Sequence, residues 1–121
     1  MYKRSNKEFV FDMFLACRNI LDYTEGMDFD SFFNDKKTID AVVRNIEILG
    51  EAVKNISKNF RDKYPEIEWK IIAKTRDKVI HFYFGLDVDI LWKIACKDIR
   101  ILFQKLKNII EKEGWESDIS L

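Results

Sequence analysis

The sequence predicts an all-α protein, an up-and-down antiparallel bundle of about four main helices, and three observations predict it. Apolar residues recur at three- and four-residue steps along most of the chain, the spacing that lines one face of a helix. Only four Gly and one Pro interrupt 121 residues, so the elements are long and tight turns few. No segment shows the apolar–polar alternation of a half-buried strand, and neither an internal repeat nor a low-complexity stretch is present.

The first helix begins at Ser5. Glu8 stands three residues on, the spacing at which each side chain can satisfy a free backbone N–H of the other. Phe9, Met13, Ala16, Ile20 and Tyr23 follow on one face, widened by Phe14 and Leu21, and Gly26 is the natural stop. Residues 27–36, "MDFDSFFNDK", form an acidic and aromatic connection with room for a short helical turn. A second helix is predicted through Ile39, Val42, Ile46, Leu49, Val53, Ile56 and Phe60, about six turns long. "YPE" at 64–66 ends it, because the residue before proline is pushed out of the helical region. The third runs from about Glu68 to His81 with Trp69, Ile72, Ala73, Val79 and Ile80, closed by Gly85. Asp87 caps a fourth, striped by Val88, Leu91, Ala95, Ile99, Leu102, Leu106 and Ile109 and closed by Gly114, with "WESDISL" as a short tail.

The length suits one domain, residues 1–121, with one modest core. Ten Phe and three Trp exceed what so small a core hides easily, so an apolar dimer face is expected. Lys plus Arg and Asp plus Glu both number 21, so binding to nucleic acid has to come from a local patch. Cys17 and Cys96 lie within helical patterns and read as buried free thiols of a reducing compartment; no metal-ligand spacing is present and no cofactor is expected. No apolar run reaches the ~20 residues of a membrane span. The basic N-terminus has no apolar signal core behind it, so the chain reads as soluble and cytoplasmic.

Chemistry concentrates in "RDKVIHFYF", residues 76–84. His81 is the one histidine of the chain. A single histidine near a helix end is most often a hydrogen-bonded bystander, yet it is also the side chain best suited to exchange protons near neutral pH. Arg76 brings a permanently charged planar fork that fits phosphate, and Tyr83 a phenol open to modification. Positions five apart on a helix differ by about 140° in direction, so Arg76 and His81 converge only across a groove or where the helix distorts. Lys70, Lys74 and Lys78 make a basic row on the same helix, either a solvated face or a phosphate track. On the second helix Asp40, Arg44, Glu47 and Glu51 form a charged row. Gly50 sits inside that helix at a cost of about 1 kcal/mol relative to Ala, which points to close approach by another helix or a ligand.

Taken together, "AVVRNIEILGEAVKNIS" and "YPEIEWKIIAKTRDKVIHFYFGLDVDILWKI" resemble the HepT-like toxins, a branch of the HEPN superfamily. The resemblance runs from about residue 7 to 110 and centres on Arg, four residues, His, one residue, Tyr: Arg76, His81 and Tyr83. It implies a helical bundle that forms a homodimer and a metal-independent ribonuclease acting on RNA, with Arg76 and His81 as the catalytic pair in the dimer cleft. It also implies a minimal nucleotidyltransferase (MNT) antitoxin as partner, which silences the toxin by transferring AMP to Tyr83. Arg44, Glu47 and Glu51 match recurrent family positions and are assigned support of the site or interface; Lys70, Lys74 and Lys78 are assigned RNA binding. Lys74 and Thr75 depart from the family pattern, where many relatives carry a small and then an apolar residue. Two other readings stay open: a non-catalytic HEPN dimer that binds nucleotide or RNA and docks the nucleotidyltransferase, and a chain that is chiefly the substrate of AMP transfer. Nucleotidyltransferase activity in this chain itself is not expected, since the Gly-Ser and paired-aspartate signature is missing.

Overall fold

The computed structural model describes residues 4–81 and 87–121, with Ile80 and His81 described by their backbone alone. The described residues are helical and turn structure throughout, without strands, as the periodicity predicts. Helix α1 (Asn6–Thr24) starts on the expected capping box: the Ser5 hydroxyl accepts from the Glu8 N–H, and the Ser5 N–H donates to the Glu8 carboxylate at 3.3 Å. Its inward face carries Val10, Met13, Phe14, Ala16, Cys17 and Ile20. Tyr23, expected on that face, is instead 44% exposed, and Thr24 takes the inner place. Thr24 lies four residues beyond Ile20, directly below it on the helix, and its hydroxyl donates to the Ile20 carbonyl at 2.8 Å. Burial of the Cys17 thiol pushes its pKa well above the ordinary thiol value.

The connection does contain a helical turn, α2 (Phe29–Phe33), capped by reciprocal bonds between Asp28 and Ser31. Phe32 is buried against Trp92, with ring centroids 4.9 Å apart. Asp35 then caps α3 (Lys36–Asn55). The single long helix expected through Phe60 is in fact two. The backbone turns extended at Ile56, and Ser57 caps a new helix, α4 (Lys58–Lys63). Arg61 repairs the break by donating to the Val53 carbonyl at 2.6 Å and to the Ile56 carbonyl at 3.2 Å, acceptors that a helix end leaves open. The Asn6 side chain bonds both the N–H and the hydroxyl of Ser57 at 3.0 Å, which pins the break to the start of α1.

Helix α5 (Trp69–His81) follows the YPE linker. Asp87 caps α6 (Val88–Lys93), which runs without interruption through a π-helical turn (Ile94–Asp98) into α7 (Ile99–Lys112); the junction residues keep right-handed helical angles. Gly114, at φ 74°, ends α7: its N–H and that of Trp115 donate back to Glu111 and Ile110, a Schellman closure that needs a left-handed residue. Trp115 is thereby laid on Phe60, the two rings stacked at 5.9 Å. In the bundle α1 packs against both α3 and α7, and α3 lies between α1 and α5. Among the described residues no helix is long and apolar enough to cross a membrane.

The end of the bundle that carries the linker is locked by a polar triad. Glu113 accepts from Lys63 at 2.6 Å and from the buried Tyr64 hydroxyl. Lys63 and Tyr64 hold the Glu113 carboxyl below its ordinary pKa, while burial and the adjoining carboxylate push the Tyr64 phenol up to about 12. Glu113→Gln is expected to lose about 1–3 kcal/mol at neutral pH, the scale of a hydrogen bond to a charged group. A depressed carboxyl stabilises above its unfolded pKa of about 4.3 and loses that stabilisation as pH falls through the folded value. Thermal melts at pH 7 and pH 3 therefore separate wild type and variant widely at the first and little at the second; equal gaps would remove Glu113 ionisation as the cause.

Candidate functional site

Helix α5 lies close against α3 at Gly50. A methyl group there would lie 2.2 Å from both Cβ and Cγ of Arg76 and 3.0 Å from its Cδ. The approach that a glycine inside a helix suggested is thus made by another helix: hydrogen at position 50 is the notch across which the Arg76 stem lies. The stem is covered, with 25% of the Arg76 side chain exposed. Its guanidinium reaches Glu51 Oε2 at 3.3 Å through Nη2 and Asp77 Oδ1 at 2.9 Å through Nη1. Nε is buried and has no hydrogen-bond partner among the described residues. Lys54 lies 3.6 Å from Asp77, so Arg76 first and Lys54 second hold the Asp77 carboxyl below its ordinary pKa.

This guanidinium opens on a polar groove of about 390 Å³ between the first turns of α1 and the exposed side of α3. Arg44, Glu47 and Glu51, the charged row predicted on the second helix, line it with Arg76; Arg44 and Glu47 are 3.7 Å apart. The fourth member of that row, Asp40, pairs with Lys36 at 3.0 Å outside the groove. Arg4 and Asp12 complete the wall, joined at 2.7 Å. The spacing of the sequence did not single out Arg4, Asp12, Lys54 or Asp77. Asp77 was legible as the neighbour of Arg76; the others enter only when α1, α3 and α5 are packed.

Lys70, Lys74 and Lys78 are exposed and line no part of this groove. At about 100° per residue they lie roughly 120–160° around α5 from Arg76, on the side turned from α3. His81 is the last residue of α5, and the helix is unbroken from Arg76 to it. Tyr83 and Gly85 lie outside the described residues. Among the described residues no three His, Cys, Asp or Glu side chains are grouped as a metal would require.

Comparison with known proteins places this arrangement. The profile described as "Ribonuclease HepT-like" matches residues 13–111, a stretch holding Gly50, Glu51, Arg76 and His81. A protein of Methanocaldococcus jannaschii named "Putative RNase MJ0127" is 39% identical over the full length of both chains. "Probable ribonuclease HepT" of Thermococcus cleftensis is 46% identical, over 88% of this chain and 99% of its own. "Putative RNase TTE0752" of Caldanaerobacter subterraneus is 42% identical, over 80% of this chain and 87% of its own. No solved structure matches the chain. A helical bundle that lodges Arg76 against Gly50, in a chain matched by this profile over most of its length, belongs to the HepT-like ribonuclease family.

Proposed function

We propose that this ribonuclease is the toxin of a toxin–antitoxin pair, a metal-independent endonuclease whose site is shared between two copies of the chain and which is silenced by AMP on Tyr83. The observation that carries the reading is the setting of Arg76, its stem gripped at Gly50 and its guanidinium presented to an open polar groove. Cleavage without a metal has the ribose 2′-OH attack the adjacent phosphate, with one group taking the hydroxyl proton, another returning a proton to the leaving 5′-oxygen, and a cation facing the developing charge. Arg76 suits the last role, and His81 either of the first two.

The unbroken helix between them supports sharing. The backbone positions of residues 76 and 81 are about 140° apart around α5, which favours a site that draws its arginine and its histidine from different copies. A two-fold pair brings two arginines and two histidines to one cleft, enough for both proton transfers. Glu51 and Asp77 act as braces that hold the guanidinium plane. AMP on Tyr83, two residues beyond His81, would add a phosphate competing for Arg76 and bulk that blocks the cleft.

The test is cleavage of tRNA and mRNA in EDTA by protein shown free of AMP, with His81→Ala alongside at matched folding. Cleavage by wild type alone, leaving 2′,3′-cyclic phosphate ends, is the expected result. Loss of activity in EDTA, or 3′-hydroxyl ends, overturns the metal-free route. Incubation with ATP and a cognate minimal nucleotidyltransferase should label wild type and leave Tyr83→Phe unlabelled; equal labelling of the two removes Tyr83 as the target.

A further inference from the structure

Besides Arg76 and Arg44, the groove that presents Arg76 is lined by a third arginine, Arg4, from the start of the chain and outside the Arg–His–Tyr motif. Arg4 sits just ahead of the cap of α1, with 43% of its side chain exposed. Its Nη2 forms an ion pair with Asp12 at 2.7 Å and donates to the Glu8 carbonyl at 3.5 Å, Nε lies 3.7 Å from the Glu8 carboxylate, and the guanidinium carbon stands 4.6 Å above the centre of the Phe9 ring. A carboxylate on one edge and an aromatic face beneath fix the plane of the fork. Nη1 has no hydrogen bond among the described residues. The fork is therefore anchored on one edge and open on the other.

The groove's volume, about 390 Å³, falls within the range of sites that take a ligand the size of one nucleotide. A ribonuclease that holds one RNA phosphate on Arg76 faces another at the adjoining nucleotide, because the backbone carries a phosphate at every step. The chain has no net charge, so attraction for that backbone has to come from individual placed cations. We propose that Arg4, positioned by Asp12 and Phe9, is a substrate contact: it binds the RNA phosphate next to the one that Arg76 holds, and so sets the register of the strand in the cleft. The proposal rests on Arg76 being the site of cleavage and adds a binding residue to it.

The experiment uses the full chain and a short single-stranded RNA, measuring KM and kcat for cleavage and, with a 2′-deoxy version that cannot be cut, affinity across a salt series. Arg4→Gln is expected to raise KM about tenfold with kcat within about twofold, and to flatten the slope of log K against log salt by about 0.7, the share of one phosphate contact on a single strand. Arg4→Lys, which keeps the charge, should hold the slope near that of wild type. Arg100→Gln, at the far end of α1 beside Gly26, should change neither quantity. An unchanged slope and KM in Arg4→Gln overturns the proposal, even if its melting temperature falls, for Arg4 is then only an anchor of the N-terminus. Failure of the cleavage reading looks different: wild type binds the RNA and leaves it whole, while a slope change in Arg4→Gln still supports the contact. Wild type that neither binds nor cuts RNA overturns both.

Discussion

Arg76→Lys and His81→Ala proteins will each cleave RNA at no more than about a hundredth of the wild-type rate, while a mixed dimer of Arg76→Ala and His81→Ala chains recovers part of the activity. The size follows from the roles. A positioned cation facing developing charge is worth about 10²–10³ in rate, and a positioned proton-transfer group about 10²–10⁴. Lysine keeps the charge but not the fork, so it cannot bridge Glu51 and Asp77 as Arg76 does. Mixing is the sharper test. On the shared site proposed above, each parent dimer lacks one residue type altogether, whereas a mixed dimer would bring one intact Arg76 and one intact His81 to the same cleft. Recovery stays partial because one arginine and one histidine are still missing. A verified mixed dimer no more active than its parents excludes a site shared in this way.

The same arginine gives a reading that needs no substrate. Arg76 is the first cause of the depressed Asp77 carboxyl, so Arg76→Ala should let that pKa climb toward its ordinary value. A depressed carboxyl stabilises the fold above its unfolded pKa, about 3.9, and ceases to do so as pH falls through the folded value. An NMR titration of Asp77 in the two proteins shows this directly, and an unmoved midpoint would mean that Lys54 dominates instead.

Gly50→Ala is the second large effect, and its direction is opposite to what helix propensity suggests. Alanine favours a helix over glycine by about 1 kcal/mol, and on an open helix the change would stabilise. At position 50 the new methyl meets Arg76 Cβ and Cγ at 2.2 Å. A Cβ is fixed by its backbone, so turning the Arg76 side chain makes no room; α3 and α5 have to part. Overpacking of this kind costs about 1–3 kcal/mol, so a melt should show a net loss of a few degrees. On the role proposed for Arg76, activity should fall further, by about 10²-fold, because displacement of such a group by about 1 Å is enough to do so. A Gly50→Ala protein as stable and as active as wild type would show that the two helices are less closely apposed than this.

What could be read from the chain alone depended on whether the signal was local. Ser5 with Glu8 announced its cap because four consecutive residues contain the whole device. The break at Ser57 was hidden because Val53, Ile56 and Phe60 keep helical spacing across it: periodicity records which residues are buried, and all three are, whatever the backbone does between them. Tyr23 failed for a related reason, since two positions at the end of α1 compete for one inward place and Thr24 can satisfy its hydroxyl on its own helix. Within the site, Arg76 stood out by its motif and Gly50 by its cost. Arg4 and Asp12 had no such signal, being 72 and 64 positions from Arg76 and joined to it only by the packing of three helices. The lysine row was legible as a row, and its turn away from Arg76 follows from 100° per residue alone.

The π-helical turn in the last long helix makes chain length, rather than residue identity, the constrained quantity there. A π turn bonds i to i+5 and so takes up about one residue more than an α turn. Before it, Trp92 meets Phe32 of α2; after it, Phe103 stacks on Phe14 of α1 at 4.7 Å. Removing any one residue between Ile94 and Asp98 would let the helix run regular and rotate one of these faces by about 100° against its partner. Substitutions in this stretch are therefore a question of fit, but a single-codon deletion is a question of phase, and relatives that align through it without a gap are the ones able to keep both contacts.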